Sequence, residues 1–328
     1  MTVLITGATG FLGSHIAESL AYSGVSVRAL VRRSSDTSFL KKLPNLELVF
    51  GAVEDRDSVC RAALGVEAVI HSAGLVKARS SAEFFRINEG GTENAIAAAL
   101  QAGPQFKRFV LVSSLGALGP SDTAGNAVPA TRVPGPVTTY GKSKLAAEQV
   151  VLGASDRLST VMVRPPTIYG PRDREVLIFF KSVKNGVLPL TNPLNSKFSM
   201  IYGPDAADAC VRALSADVPS GSAYFVDDGG VYTFEQMIQT TEQAVGKRAW
   251  LRLPIPQRVV KTLAFGSELY GRATQQAVMF TRDKCNDLFS QWVCDGTETR
   301  RALGWEPKVP FAEGMKLTAE WYRRAGWL

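Results

Sequence analysis

The stretch TVLITGATGFLG, residues 2–13, decides the fold. Its first four residues are β-branched or apolar, which is typical of a buried parallel strand. Glycines follow at Gly7, Gly10 and Gly13, and an apolar helical pattern begins at Ser14. In such a strand–turn–helix unit the first glycine permits the turn, the second lets the backbone approach a pyrophosphate, and the third brings helix and strand together. The stretch therefore predicts a dinucleotide site at a helix start, with a ligand-free glycine turn as the alternative.

The composition is that of an ordinary globular protein, with 45% hydrophobic and 20% charged residues in a chain of 328. We expect no membrane span, because no apolar run reaches about eighteen residues. The chain starts directly with a strand and not with a signal peptide, so we expect a cytoplasmic location. Four cysteines and two histidines match no metal or redox spacing, which predicts free thiols and no metal site.

The net charge of +7 raises the question of an anionic partner. No basic run is interleaved with aromatic residues, so nucleic acid is not the expected partner. Attraction to an anionic cofactor or to an anionic membrane surface explains the charge at least as well.

Apolar runs alternate with helical patterns along the first half of the chain. Further strands are predicted at 25–33, 46–50, 68–71 and 108–113, with helices after Gly13, over 58–64 and from Asn88. Strict βαβα order predicts a parallel sheet with helices on both faces. The predicted fold class is therefore α/β, a Rossmann-type doubly wound sheet.

The end of the second strand bears on the choice of cofactor. In NAD-specific folds a carboxylate near this point binds the ribose 2′-hydroxyl. Here Arg32 and Arg33 end the strand, and no carboxylate occurs until Asp36. Because a guanidinium suits a 2′-phosphate, we predict NADP(H) with Arg32 as its main contact, helped by Lys41 or Lys42. The alternatives are NAD(H) and a pair of merely solvated arginines.

Three residues suggest the chemistry. A loop rich in Pro and Gly runs from 119 to 139 and ends at Tyr140, which lies four residues before Lys144. On a helix the two side chains share one face, and an ammonium beside a phenol is expected to lower the phenol's pKa. A tyrosine tuned in this way can exchange a proton with an alcohol oxygen, and Ser114 at a strand end can bond to the same oxygen.

At this point the sequence resembles the extended short-chain dehydrogenase/reductases of the NAD-dependent epimerase/dehydratase superfamily. The motifs that carry the resemblance are TGATGFLG, LVSSLGALG (111–119), YGKSK (140–144), VRPPTIYGP (163–171) and the tail LGWEP…EGMKLTAEWY (303–322). The resemblance implies Ser114, Tyr140 and Lys144 as catalytic residues, with Ser114 preferred over Ser113. It also implies that Asn88 orders the active-site helix or a water.

The same resemblance and the glycine turn define the predicted cofactor contacts. They are Gly7, Thr9, Gly10, Phe11, Leu12, Gly13, Arg32, Ala52, Val53, Ala73, Gly74, Ser113, Tyr140, Lys144, Pro166, Thr167 and Ile168. One departure concerns the adenine pocket, where relatives carry Gly-Asp and this chain has Gly51-Ala52. The aspartate contact is lost, and the backbone of Val53 is the remaining candidate.

The family pattern also implies two domains and a partner copy. The dinucleotide-binding domain is predicted to comprise 1–170 and 196–228, and a smaller α/β substrate domain 171–195 and 229–328. A homodimer is expected through the helices that begin near Asn88 and Tyr140. Residues 257–271 form an amphipathic segment, which either packs on its own domain or lies on a membrane surface.

Within the superfamily, two branches fit less well. Dehydratases carry Thr-Asp-Glu where this chain has Ser114-Leu115-Gly116, and epimerases carry a diphosphate-binding asparagine near Thr167. The sequence VRALVR instead resembles dihydroflavonol reductases and bacterial relatives of 3β-hydroxysteroid dehydrogenases. We therefore expect an NADP(H)-dependent oxidoreductase acting on a fairly apolar small molecule.

Two alternatives stay open at this level. One is a nucleotide-sugar epimerase that holds its cofactor tightly, with Arg172, Arg174 and Lys181 as the anion site that the pattern otherwise lacks. The other is a cofactor-sensing regulator without turnover.

Overall fold

A computed structural model of the chain describes residues 1–274 and 281–328. Its first half alternates strands and helices, as the sequence pattern predicts. In chain order the elements are β1 (Thr2–Thr6), α1 (Phe11–Tyr22), β2 (Ser26–Val31), β3 (Leu46–Phe50), α2 (Arg56–Ala63), β4 (Ala68–His71), α3 (Ser81–Asn88), α4 (Gly90–Leu100), β5 (Arg108–Val112), α5 (Thr139–Leu152) and β6 (Thr160–Arg164).

The second half is built from shorter strands and more helix. Its elements are β7 (Thr167–Tyr169), α6 (Glu175–Asn185), β8 (Val187–Leu190), β9 (Lys197–Phe198), β10 (Met200–Tyr202), α7 (Gly203–Arg212), β11 (Ser222–Phe225), β12 (Tyr232–Thr233), α8 (Phe234–Val245), β13 (Leu251–Pro254), α9 (Gln257–Thr274), α10 (Arg282–Leu288), α11 (Thr297–Leu303) and α12 (Phe311–Arg324).

A seven-stranded parallel sheet forms the centre, in the order β11-β6-β5-β4-β1-β2-β3. The strand order reverses between β1 and β4. In open α/β sheets ligands bind in the crevice at such a switch point, beyond the carboxyl ends of the strands. The predicted fold class, a Rossmann-type doubly wound sheet, is confirmed, and the glycine turn after β1 lies at its switch point.

Two apolar layers cover the faces of this sheet. On one face Ile16 and Leu20 of α1 pack with Cys210 of α7. On the other, Val59 of α2 and Val151 of α5 belong to a second cluster with alanines of α4. The inner strands β1, β4, β5 and β6 are buried almost throughout, which explains why they read as continuous apolar runs in the sequence.

Some predicted boundaries differ from the structure, and one helix was not predicted. Helix α1 begins at Phe11 and not at Ser14, so the glycine motif overlaps its first turn. Asn88 ends α3 and does not begin a helix. Sequence reasoning missed α3, although a start signal was present in the sequence: the Ser80 side chain accepts a hydrogen bond from the Glu83 amide at 3.2 Å.

The remaining small strands pair outside the central sheet. Strand β7 pairs with β10, β8 with β13, and β9 with β12. A third apolar cluster holds Tyr169, Phe180 and Met315 together with Tyr322 of α12. The predicted division into two domains stays a prediction. The amphipathic segment predicted at 257–271 is helical and is slightly longer, as α9.

Candidate active site

The glycine turn is closed by backbone contacts. Gly7 has φ +76°, and a Cβ there would lie 2.6 Å from the backbone nitrogen of Ala73 after β4. A Cβ at Gly13 would lie 2.1 Å from the carbonyl oxygen of Gly7. Gly10, in contrast, is exposed beside the N-terminus of α1. The turn thus offers bare backbone at a helix start, which fits a dinucleotide pyrophosphate.

The other predicted cofactor contacts of this region differ in how far their side chains are buried. Thr9 is exposed and Phe11 half-buried, whereas Leu12 is buried in the core. The amide of Ala73 donates to Thr6 Oγ1 at 3.2 Å, which fixes the start of the loop after β4. Gly74 lies next in this loop, and a Cβ there would lie 3.6 Å from Lys144 Nζ.

At the predicted adenine end, two side chains hold the backbone of Ala52 and Val53. The carbonyl of Val53 accepts a hydrogen bond from Asn94 Nδ2 at 2.9 Å. The amide of Ala52 donates to Ser58 Oγ at 3.1 Å. Ser58 and Asn94 therefore hold the segment in place, a role that sequence reasoning did not assign to either residue.

Basic residues gather where β2 ends. Arg32 and Arg33 are both exposed, and the Arg33 guanidinium lies over the Phe50 ring at 5.4 Å. The pKa of Asp36 is lowered, first by the backbone hydrogen bond of Ser38 and also by the charges of Arg174 and Lys41. Arg174 thus lies at this end of the crevice, which the sequence did not predict.

Arg172, the first residue of the predicted anion site, is engaged by α1. Its Nε donates to Ser14 Oγ at 3.0 Å, its Nη2 donates to Glu18 Oε2 at 2.7 Å, and its guanidinium stacks on Phe39 at 4.1 Å. Burial acts to raise the pKa of Glu18, but hydrogen bonds from His15 and Arg172 outweigh it and lower the pKa to about 2. Arg172 adopts φ +73°, which only such a set of contacts makes tolerable for a non-glycine residue.

The proposed catalytic residues meet where α5 begins. The side chain of Thr138 caps this helix by accepting from the Gly141 amide at 3.0 Å. A Cβ at Gly141 would lie 2.3 Å from the carbonyl oxygen of Gly116, so the helix start lies directly against the turn that follows Ser114. A Cβ at Gly116, in this turn, would lie 3.3 Å from Ser114 Oγ and 3.5 Å from a ring carbon of Tyr140. The structure therefore brings Ser114 and Tyr140 together.

Protonation at this site differs from the sequence-based expectation. Burial raises the pKa of Tyr140, and nearby Asp287 adds to this, while the Ser114 hydrogen bond opposes it. Burial lowers the pKa of Lys144 to about 8. Lys144 Nζ donates to the carbonyl of Val112 at 2.6 Å. Contrary to the expectation that Lys144 lowers the tyrosine pKa, the pKa of Tyr140 is raised because burial of the phenol is the largest effect.

Asn88 joins the loop after β4 to the active-site helix. Its Oδ1 accepts from the Leu75 amide at 2.7 Å, and its Nδ2 donates to Ser143 Oγ at 2.8 Å. Ser143 Oγ in turn donates to the carbonyl of Tyr140 at 2.7 Å. This chain of bonds agrees with a role for Asn88 in ordering α5.

A buried ion pair, absent from the predicted site, ties the same helix to the sheet. Arg164 at the end of β6 donates twice to the Glu148 carboxylate, with both distances 2.7 Å. The guanidinium also donates to the carbonyl of Ala130 in the long loop at 3.2 Å. Glu148 lies four residues after Lys144 and therefore on the same helix face. This spacing is the sequence signal that could have identified it.

Other predicted residues lie around this centre. Ser113 is buried at the end of β5, and its amide donates to the carbonyl of Val163 at 2.7 Å. The amide of Leu115 donates to the carbonyl of Pro165 at 2.9 Å, which draws the segment of Pro166, Thr167 and Ile168 toward the Ser114 turn. Within residues 1–274 and 281–328 no cluster of His, Cys, Asp and Glu is arranged to hold a metal ion.

Comparisons with known proteins agree with this architecture. The profile of the NAD dependent epimerase/dehydratase family matches residues 3–226. A ceramide reductase of Caulobacter vibrioides is 35% identical over 332 residues, which cover 99% of this chain and 96% of that protein. A 3β-hydroxysteroid dehydrogenase/Δ5→4-isomerase of Mycobacterium tuberculosis is 28% identical, with coverage of 93% and 86%.

Among solved structures, the Thermus thermophilus UDP-glucose 4-epimerase in complex with NAD matches with a TM-score of 0.77. It is 25% identical, and the match covers 99% of this chain and 100% of that one. The chain belongs to the NAD dependent epimerase/dehydratase family, and thus to the extended short-chain dehydrogenase/reductases. It is an enzyme of this nicotinamide-dependent class, as predicted from the motifs.

Proposed function

We propose that the enzyme interconverts a ketone or aldehyde and an alcohol on a fairly apolar small molecule, with NADP(H) as its cofactor. The observation that carries the substrate class is the engagement of Arg172 by Ser14 and Glu18. A nucleotide sugar needs cations or amides for its diphosphate, and Arg172 is already committed to α1. The ceramide and steroid named in two relatives are apolar molecules, which supports the same class.

Arg174, the second cation of the predicted anion site, also has other contacts. The Arg174 guanidinium stacks on the Trp327 ring at 4.9 Å, and its charge acts on Asp36. Its position favours the adenosine end of the crevice, where Arg32 and Lys41 are the other cations. This concentration of positive charge supports NADP(H) over NAD(H), because a 2′-phosphate adds negative charge at that point.

The residues at the start of α5 supply the proton chemistry. When bound, the cofactor gives or takes the hydride at the carbonyl carbon. In reduction the O–H bond of Tyr140 breaks while a new O–H bond forms on the substrate oxygen, and oxidation reverses this transfer. The raised pKa of Tyr140 keeps the phenol protonated near neutral pH, which suits reduction. Ser114 holds the same oxygen by a hydrogen bond.

The test combines calorimetry with a reductase screen. We expect NADPH-dependent reduction of ring ketones or long-chain carbonyl compounds, and no micromolar binding of UDP or UDP-glucose in the presence of NADP⁺. Micromolar UDP binding that Arg172→Ala or Arg174→Ala abolishes would assign the enzyme to the epimerases instead. Lys184→Ala is the matched control, because Lys184 is an exposed cation of α6 and lies outside the candidate anion site.

A homodimer through α4 and α5 is a further part of the proposal. Leu100 and Leu152, at the carboxyl ends of these helices, are 40% and 46% exposed, which supports an apolar contact there. Sedimentation equilibrium of Leu152→Glu tests it, with a shift toward monomer as the expected result. The cytoplasmic location stays a prediction.

A further inference from the structure

One face of α9 carries an exposed apolar strip, formed by Val259, Leu263 and Tyr270. These side chains are 45%, 57% and 59% exposed. Their spacings of four and seven residues place them on one side of the helix. No helix in the described parts of the chain is both long and apolar enough to cross a membrane. The strip can therefore meet a bilayer only by lying along its surface.

A different face of α9 packs against the protein. Val260 and Ala264 are buried in a small cluster with Cys285 of α10, and Leu288 and Phe289 pack against it. The intramolecular packing that the sequence analysis weighed therefore exists, but it uses the face beside the strip. The packing of this region therefore does not bury the strip.

The surroundings of the strip are apolar and basic. Trp250 and Leu253, just before α9, are 75% and 43% exposed. Residues 247–271 contain five basic residues and the single acid Glu268. Arg252 pairs with Glu242 at 2.9 Å, whereas Arg248, Arg258 and Lys261 are exposed cations. Apolar side chains with flanking cations are the pattern of a helix that lies at an interface with anionic lipid.

We propose that the apolar strip docks the enzyme on an anionic phospholipid surface. Charge favours this occupant over a second copy of the chain. Residues 247–271 hold five basic residues and one acid, so a symmetric contact through the strip would bring two basic segments together. An anionic surface receives the same cations favourably.

The position of the strip links docking to the active site, and this step rests on the proposed function. Helix α10, which packs on α9, carries Asp287, and the charge of Asp287 acts on Tyr140. The carbonyl of Asp287 also accepts a hydrogen bond from Trp292 Nε1 at 2.9 Å, and Trp292 packs against the apolar cluster that contains Leu115, the residue after Ser114. A docked α9 would thus hold the Tyr140 side of the crevice close to the bilayer, where apolar carbonyl compounds dissolve.

Sedimentation of the full chain with vesicles tests the docking. We expect binding to phosphatidylcholine vesicles that contain phosphatidylglycerol, and at least tenfold weaker binding to phosphatidylcholine alone. Leu263→Glu should lower the partition coefficient at least tenfold. The control Leu64→Glu, an equally exposed leucine at 58% in another region, should leave it unchanged. A double change of Arg258 and Lys261 to Glu should abolish the preference for phosphatidylglycerol.

Reduction of a water-soluble ketone with NADPH is measured in parallel, and it should be equal in wild type and Leu263→Glu. Absence of vesicle binding in the wild type, or equal binding by Leu263→Glu, overturns the docking proposal even if the ketone is reduced. Loss of self-association in Leu263→Glu without vesicle binding overturns it too, and assigns the strip to an interface between copies. Failure to reduce any carbonyl compound, with vesicle binding intact, counts against the proposed function alone.

Discussion

The ends of β1, β4 and β5 are held by close backbone contacts, whereas residues 250–270 leave much apolar surface exposed. At the sheet, Gly7 and Gly13 let backbones meet, and Asn88 bonds to both a loop and a helix. In 250–270, Leu263 is 57% exposed and Trp250 75% exposed. The difference shows that close backbone contacts fix the geometry of the first region, whereas the second leaves apolar side chains exposed, as the proposed docking requires.

The largest effect should come from Tyr140→Phe, which keeps the ring and removes the proton. We expect kcat for carbonyl reduction to fall by about 10²–10⁴-fold, since this is the typical contribution of general acid–base catalysis. Cofactor affinity and thermal unfolding should stay close to wild type. Tyr22→Phe, at an exposed tyrosine, is the control. A variant that keeps most of its turnover would exclude Tyr140 as the acid.

The next effect concerns the ion pair that fastens α5. Glu148→Gln leaves the Arg164 guanidinium buried without its carboxylate, and removing one partner of a buried pair costs about 3–5 kcal/mol. Denaturant unfolding should show a loss of that size. Asp208→Asn breaks the more exposed pair with Lys308, so the expected loss there is about 0–1 kcal/mol. Equal losses in the two variants would show that burial does not distinguish the pairs.

Gly13→Ala probes the close approach of α1 and the glycine turn. A Cβ would lie 2.1 Å from the Gly7 carbonyl, a backbone atom that cannot rotate away. We expect a loss of stability of about 3 kcal/mol, the upper part of the range for overpacking, together with weaker cofactor binding. In the control Gly266→Ala no atom lies within 4 Å of the new Cβ, so this change should be stabilising by up to about 1 kcal/mol. Fluorescence titration and thermal unfolding measure both effects.

Sequence reasoning succeeded where chemistry follows local order. The glycine turn, the strands and the helix that carries Tyr140 and Lys144 follow short-range patterns, and the structure contains each of them with some boundaries shifted by a few residues. Asn88 was singled out through the family resemblance, although its place at the end of α3 was not predicted.

The remaining features depend on residues far apart in the chain. Arg172 meets Glu18 across 154 positions, so no local pattern shows that it is engaged by α1. The pKa of Tyr140 also escaped prediction, because it depends on how completely the folded chain desolvates the phenol. The exposure of the strip on α9 also depends on the tertiary structure, since only the packing of the folded chain shows which apolar face of the helix stays in contact with solvent.

The smallest effect should be found at Arg32, on the open edge of the cofactor side. A charge-assisted hydrogen bond contributes about 1.5–3 kcal/mol, and we expect the lower end because Arg32 is exposed to solvent. Arg32→Ala should therefore weaken NADPH binding roughly tenfold and leave NADH binding nearly unchanged, since NADH lacks the 2′-phosphate. Calorimetry with both cofactors measures this, and Arg28→Ala, earlier on the same strand and paired with Glu47, is the matched control. Equal affinities of the wild type for NADPH and NADH would refute the NADP(H) assignment. They would show that Arg32 and its neighbours at this edge of the crevice do not discriminate between the two cofactors.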